Sequence, residues 1–380
     1  MLFELKNEER KCLGLTLVEK SWERIKFNDT IYLYFDKDKL VKKIEVTQDK
    51  YLEVELNELT IENRTIVLPK TSKGKNKKLN FTALEAMNAV GVYFYYRKSA
   101  LIANFTTQTT FYSSDNDSRK ITEGLVGLRA WLDWWIKDTT EEDLKNICEF
   151  KDQKRKHCKF KEGDYFVFRV GRRQYGYGRI LLDIYKLRKE IEKGKIEEKH
   201  LGLMNLMGKG LIVKIYKKIS DEIDLNFDEL KKSEAILSEQ VMDNIFYYGE
   251  FKIIGNEVLE TFEMDYPIFY GRTLDEKMRR KAYLQYGLIY LETEILNSHK
   301  EEIFLKQYFG DTGIGFGIRS SINILLGDGK NIQYDRDLRN IKNIKYKREI
   351  FECFGLDADK NYYENYKIFL KIKNNMKSNI

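Results

Sequence analysis

The chain has 380 residues, and 67 Lys and Arg against 60 Asp and Glu leave a net charge of +7. Hydrophobic residues make up 42% of it and prolines only two positions, Pro69 and Pro267, so wholesale disorder and collagen-like, mucin-like or proline-rich linker sequence are excluded. No apolar run approaches the ~18–20 residues that span a bilayer, and Met1–Arg10 lacks the apolar stretch of a secretory signal, which makes the cytoplasm the expected location, with no membrane partner.

The first third reads as strands. Thr30–Phe35 is rich in β-branched and aromatic residues, Asp36–Lys39 gives a polar turn, and Leu40–Val46 continues as a second strand. Tyr51–Leu56 alternates Tyr/Glu/Glu with Leu/Val/Leu, the period of a half-buried strand, and Arg64–Leu68 is a further candidate stopped by Pro69. Lys70–Lys78 holds five lysines and no acid and reads as a solvated hairpin tip. Thr82–Ala89 suits one or two helical turns. Gly91–Arg97 and Ala100–Phe105 suit a second hairpin, and Thr106–Tyr112 also favours strand.

A helix is predicted from about Ser118 to Ile136, because Ile121, Leu125, Leu128, Leu132 and Trp135 recur at spacings that stack on one face. A second helix over Thr140–Lys156 opens with Thr140 and Asp143 at capping-box spacing. The basic run Lys151–Lys161 reads as a connector. It divides an N-terminal β-rich domain, 1–150, from a second domain, 151–380. Beyond it, Tyr165–Val170 and Tyr177–Ile184 form an antiparallel pair, Tyr185–Lys199 is helical, and Gly210–Ile219, Ile245–Ile254 and Tyr266–Tyr270 are strands. Asp275–Leu296 contains a helical segment and one aliphatic strand. Lys342–Phe354 and Lys360–Lys371 are C-terminal helices, followed by a frayed tail. The expected class is therefore α+β and β-rich, with two mostly antiparallel sheet or barrel-like domains, packed helices and C-terminal helices.

Familiar catalytic patterns are missing. The three histidines, His157, His200 and His299, are far apart, and Cys12, Cys148, Cys158 and Cys353 form no C-x-x-C pair, so no metal site is expected and the thiols are read as reduced. The glycine-rich Asp311–Gly317 lacks the spacing of a dinucleotide fingerprint, and its single Asp-Thr-Gly cannot form a carboxylate dyad. No G-x-S-x-G elbow occurs.

One motif narrows the field. Glu162-Gly163-Asp164-Tyr165-Phe166-Val167-Phe168 is followed by Gln174-Tyr175-Gly176-Tyr177-Gly178-Arg179-Ile180. Gly163-Asp164 is a turn that launches a strand. Phe166 and Phe168 share one face of it. Gly176 and Gly178 leave one face of the partner strand open to a close neighbour. This hairpin resembles the bacterial immunity protein 26 family of polymorphic toxin systems, over a domain from about Phe160 to Leu296.

The resemblance implies a cytoplasmic, non-catalytic protein that binds and occludes a cognate toxin encoded nearby, with no cofactor. The residues it brings forward for toxin contact are Arg172, Arg173, Tyr175, Tyr177 and Arg179, then Trp134. The +7 charge suits a neutral or acidic toxin surface unless an acidic patch is localised. Two other readings compete. The basic runs and the Tyr/Arg-rich hairpin also suit a nucleic-acid-binding regulator, and 60 carboxylates leave room for a hydrolase site gathered from remote positions.

Overall fold

The alternating segments near the N-terminus become a meander. The computed structural model describes residues 3–117, 119, 121–122, 124–197, 199–204, 208–274, 280–294, 304, 319–327 and 337–377. Strands β1 (Glu23–Lys26), β2 (Ile31–Asp36), β3 (Lys39–Val46), β4 (Tyr51–Ile61), β7 (Val90–Tyr96), β8 (Ala100–Asn104) and β9 (Thr109–Ser113) lie side by side in that order. The short β5 (Ile66–Val67) and β6 (Lys77–Lys78) extend β4, and every pair is antiparallel. Lys77 and Lys78 are exposed, in keeping with a solvated lysine-rich tip.

Helix α1 (Asn7–Cys12) and the pair α3 (Gly124–Asp138) and α4 (Glu141–Asp152) complete this unit; α2 (Phe81–Glu85) is a single turn capped by Asn80. Leu128, Leu132 and Trp135 are buried as their spacing requires, packed with Trp131, Tyr112 and Phe94. Regular helix begins at Gly124; Ser118 lies outside the described residues. The capping box forms as read: the Thr140 hydroxyl accepts from the Asp143 N–H, and Asp143 accepts from the Thr140 N–H at 2.8 Å. Contacts group Met1–Cys158 with Gly171–Arg173 and Tyr248–Glu250 as one unit.

The second unit takes 159–170, 174–247 and 251–380. Its five-stranded sheet runs β13 (Ala235–Met242), β12 (Gly210–Ser220), β11 (Tyr175–Asp183), β10 (Asp164–Arg169), β14 (Lys252–Asn256). A three-stranded sheet follows, β15 (Ile268–Leu274), β16 (Arg280–Tyr286) and β17 (Ile289–Glu294). Helices α5 (Ile184–Glu192), α6 (Leu201–Met204), α7 (Phe227–Lys232), α8 (Asn244–Tyr247), α9 (Arg319–Leu325), α10 (Ile344–Glu352) and α11 (Tyr362–Lys377) surround these sheets in sequence. One large core joins Ile184, Ile212, Tyr270, Leu284, Phe351 and Tyr362.

The class is α+β and β-rich, with three antiparallel sheets among the described residues and none closed into a barrel. Several local expectations are corrected. Helix α4 ends at Asp152 and not Lys156, and within Asp275–Leu296 the described residues 280–294 hold strands and not helix. Ile245–Ile254 is not one strand: Asn244–Tyr247 is a helical turn, and Gly249, at φ +77, breaks the chain before β14. The aliphatic stretch QYGLIYLE is a hairpin turning at Gly287-Leu288, since Tyr286 pairs with Ile289. Helix α5 ends at Glu192, where Gly194 takes a positive φ. The C-terminal helix continues beyond Lys371 to Lys377. Residues 275–279 and Asp311–Gly317 lie outside the described residues.

Candidate functional site

The glycine spacing of the motif has a steric cause. Across β10 and β11, Phe166 pairs with Gly178 and Phe168 with Gly176. A Cβ on Gly176 would lie 2.5 Å from the Phe168 ring, and one on Gly178 2.3 Å from the Phe166 ring. Each glycine therefore makes room for a phenylalanine, and both rings pack with Phe246 and Phe251 in a buried aromatic cluster.

The other face of the hairpin carries Tyr165, Val167 and Tyr177, packed with Tyr216 and Leu230. Phe227 stacks on Tyr165 at 4.2 Å between ring centroids. The Tyr177 hydroxyl donates to the Glu222 carbonyl. Arg179 is fully buried here. Its guanidinium lies 4.3 Å over the Tyr165 ring, pairs with the buried Glu263 carboxylate, and donates to the carbonyls of Glu257 and Val258 at 2.9 and 3.0 Å. A charge-assisted network of this kind compensates the desolvation of both ions. Lys214 faces the same cluster; burial pushes its ammonium pKa down, against Glu263 and Asp265, which push it up.

Gly163 and Asp164 serve the same segment. Gly163 has φ +82, and a Cβ there would meet the Glu257 carbonyl at 2.2 Å, so the position favours glycine twice over. Its carbonyl accepts from the Glu257 N–H at 3.2 Å. Asp164 accepts from the Asn256 side-chain amide at 2.7 Å and from the Lys161 N–H at 2.7 Å. Gly163, Asp164 and Arg179 thus converge on residues 256–263, a segment more than 70 positions downstream of Arg179.

The remaining residues brought forward by the sequence do not gather around Arg179. Arg172 and Arg173 belong to the N-terminal unit. Arg172 stacks 3.9 Å over Trp135 and donates to the Trp135 carbonyl and the Thr139 hydroxyl. Arg173 grips Asp143. Burial opposes ionisation of Asp143, yet the Arg173 and Thr140 hydrogen bonds prevail and pull its pKa down to about 2. Tyr175 is half-buried beneath Arg169, and Trp134 is half-buried beneath Arg119. Of the basic connector, Arg155 donates to Gln108 and to the Tyr248 hydroxyl.

Residues 161–281 match the family model of immunity protein 26. No curated protein and no solved structure matches the chain. The matched segment holds the glycine–phenylalanine hairpin, Arg179 and its partner Glu263, so the network just described lies wholly inside the family region. Among the described residues, no cluster of three or more His, Cys, Asp or Glu is arranged to hold a metal ion, and no helix is long and apolar enough to cross a membrane.

Sequence reasoning missed Glu263, Val258 and Phe262. Their one visible signal is Phe262 standing among Glu257, Glu260 and Glu263, an aromatic in an acidic stretch without strand or helix period.

Proposed function

We propose that this protein is a non-catalytic immunity protein, acting in the cytoplasm, that binds a cognate toxin encoded nearby and covers the surface the toxin needs. The observation that carries this reading is the immunity protein 26 match over 161–281. Support comes from the chemistry of the motif residues inside it. Gly176 and Gly178 seat phenylalanine rings, and Gly163, Asp164 and Arg179 hold backbone. Each of these positions maintains a shape, and none is spent on a reacting group.

Occlusion requires a preorganised surface burying ~800 Å² on each partner, with a few anchors supplying most of the energy. Among the residues named from sequence, those that keep accessible surface for such contact are Arg173, Tyr175 and Trp134; Arg179 and Tyr177 act from beneath.

The test is calorimetric titration of the full chain with the toxin domain encoded by the adjacent reading frame. A 1:1 complex with Kd of about 10 nM or tighter is expected of a protective inhibitor. Absence of any complex at micromolar concentration overturns the reading.

A further inference from the structure

The segment that the motif residues hold, 256–263, presents its apolar side chains to solvent. Val258 is 87% exposed and Phe262 64%. Leu259, between them, turns inward against the core, and Glu263 turns inward to Arg179. The turn is closed by two reciprocal bonds, Glu260 N–H to the Glu263 carboxylate and Glu263 N–H to the Glu260 carbonyl, both 3.0 Å. A buried arginine, a sterically obligatory glycine and a buried aspartate therefore fix the backbone of a loop whose two large apolar side chains contribute little to the fold. Rigid apolar groups displayed on fixed backbone are what a protein interface uses as anchors, because little ordering entropy remains to be lost on binding.

The surroundings specify the partner. Lys231 bridges Glu257 and Glu260, which ties α7 to this loop. The α7 segment brings exposed Asp221, Glu222, Asp224, Asp228 and Glu229. Together, 221–234 and 257–263 carry nine carboxylates and two lysines. Glu263 is buried against Arg179, Glu257 and Glu260 are paired with Lys231, and Glu234 is paired with Lys217. The acidic surface is therefore that of Asp221, Glu222, Asp224, Asp228 and Glu229, in a chain of net charge +7. An acidic stretch that the overall charge conceals thus lies on α7 and the chain just before it, tied to the 257–263 loop through Lys231. Charge complementarity then reverses the expectation drawn from the total charge: this face suits a basic surface.

We propose that the loop 257–263 is the toxin-docking element, that Phe262 and Val258 enter an apolar recess on the toxin, and that the recess is rimmed by lysine and arginine that meet Glu260, Asp228 and Glu229. Arg179 is a positioning residue for this surface. The inference rests on the immunity reading and names the face that reading leaves open.

The experiment uses the full chain and the toxin domain of the adjacent reading frame, with binding followed by kinetics at low and high salt and by amide hydrogen exchange. The double variant Val258→Ser/Phe262→Ser is expected to weaken the complex by about 30-fold or more, the value for anchor residues, with the melting transition of the free chain unchanged. The variant Asp228→Lys/Glu229→Lys/Glu260→Lys is expected to slow association by about 10-fold or more and to remove most of its salt dependence. Amides of 257–263 are expected to gain protection in the complex. If the wild-type chain binds and the double variant binds equally well, the docking loop is overturned while the immunity reading stands. If the wild-type chain does not bind, both fall. A homodimer that the double variant dissociates, with toxin affinity unaltered, assigns the loop to a second copy of this chain and also overturns the proposal.

Discussion

Both units of the molecule bury a glutamate against an arginine, and they use the pair differently. In the N-terminal unit the fully buried Glu53 receives Arg10 at 2.9 Å, Lys42, and the Tyr51 hydroxyl at 2.7 Å. Burial alone would raise the Glu53 pKa, but Lys42 and Arg10 outweigh it and hold the carboxyl below its usual range. This cluster fastens helix α1, through Arg10, to the central strands β3 and β4, through Lys42 and Glu53, and also holds the flanking chain, since Arg10 pairs with Glu4 and Lys42 donates to the Thr16 carbonyl. In the second unit Arg179 meets one carboxylate through Nη1 and donates from Nη2 to two loop carbonyls. The first network closes a core. The second fixes a loop whose Leu259 packs inward while Val258 and Phe262 face water.

The comparison breaks first at Glu53. Glu53→Ala leaves Lys42 buried without its counter-charge and Arg10 with Glu4 as its remaining carboxylate partner, a loss of about 3–5 kcal/mol. All four tryptophans, Trp22, Trp131, Trp134 and Trp135, lie in the N-terminal unit. Denaturation followed by tryptophan fluorescence therefore reads this loss directly, and an unchanged midpoint would remove the structural role assigned to the cluster.

Arg179→Met strands Glu263 in the same way and costs about 3 kcal/mol or more. The variant Arg179→Met/Glu263→Leu should recover most of that stability, since an apolar pair of similar volume can replace a buried ion pair. It should not recover the loop: amides of 257–263 are expected to exchange faster in both variants. Recovery of slow exchange together with stability would show that Arg179 serves only the core.

A smaller effect separates the Arg173 site from both buried clusters. The Asp143 pKa, pulled down to about 2 from an ordinary 3.8, contributes stability that is complete above pH ~4 and is lost as pH falls toward ~2. After allowance for solvent screening this amounts to about 1 kcal/mol. Asp143→Asn should flatten that part of the acid titration of stability, measured by urea midpoints between pH 5 and pH 2; an unaltered slope would place the acid sensitivity elsewhere.

The smallest stability effect belongs to the exposed pair. Val258→Ser and Phe262→Ser should each change the unfolding free energy by no more than about 0.5 kcal/mol, as surface positions do. A larger loss would mean that these side chains pack, and that they are not held in readiness for a partner.

Local patterns were legible where one physical rule acted alone. The alternation of Tyr51–Leu56 placed β4, the stacked apolar spacing around Leu128 and Leu132 placed the body of α3, and Thr140 with Asp143 marked the start of α4. The hairpin of Tyr165 and Arg179 followed from the same alternation, and its glycines announced a close neighbour whose identity, Phe166 and Phe168, needed the register. Strand β13 (AILSEQVM) escaped because Ser238, Glu239 and Gln240 interrupt its apolar pattern; Ser238 is buried, and its N–H donates to Asp265 at 3.0 Å. Arg179 read as surface charge because arginine usually is, and its partner Glu263 lies 84 residues away, a distance no spacing rule reaches. The exposure of Phe262 was hidden for the converse reason: aromatics mostly pack in cores, and only the clamped backbone explains why this one does not.

The most direct test of the account is a titration of the toxin's own activity with increasing amounts of the full chain. Occlusion predicts a linear loss that ends at one chain per toxin, independent of incubation time, with full toxin activity recovered when the complex is dissociated. Progressive loss at a small fraction of one equivalent, or an altered toxin recovered from the mixture, would show that the protein transforms its partner and would contradict the account.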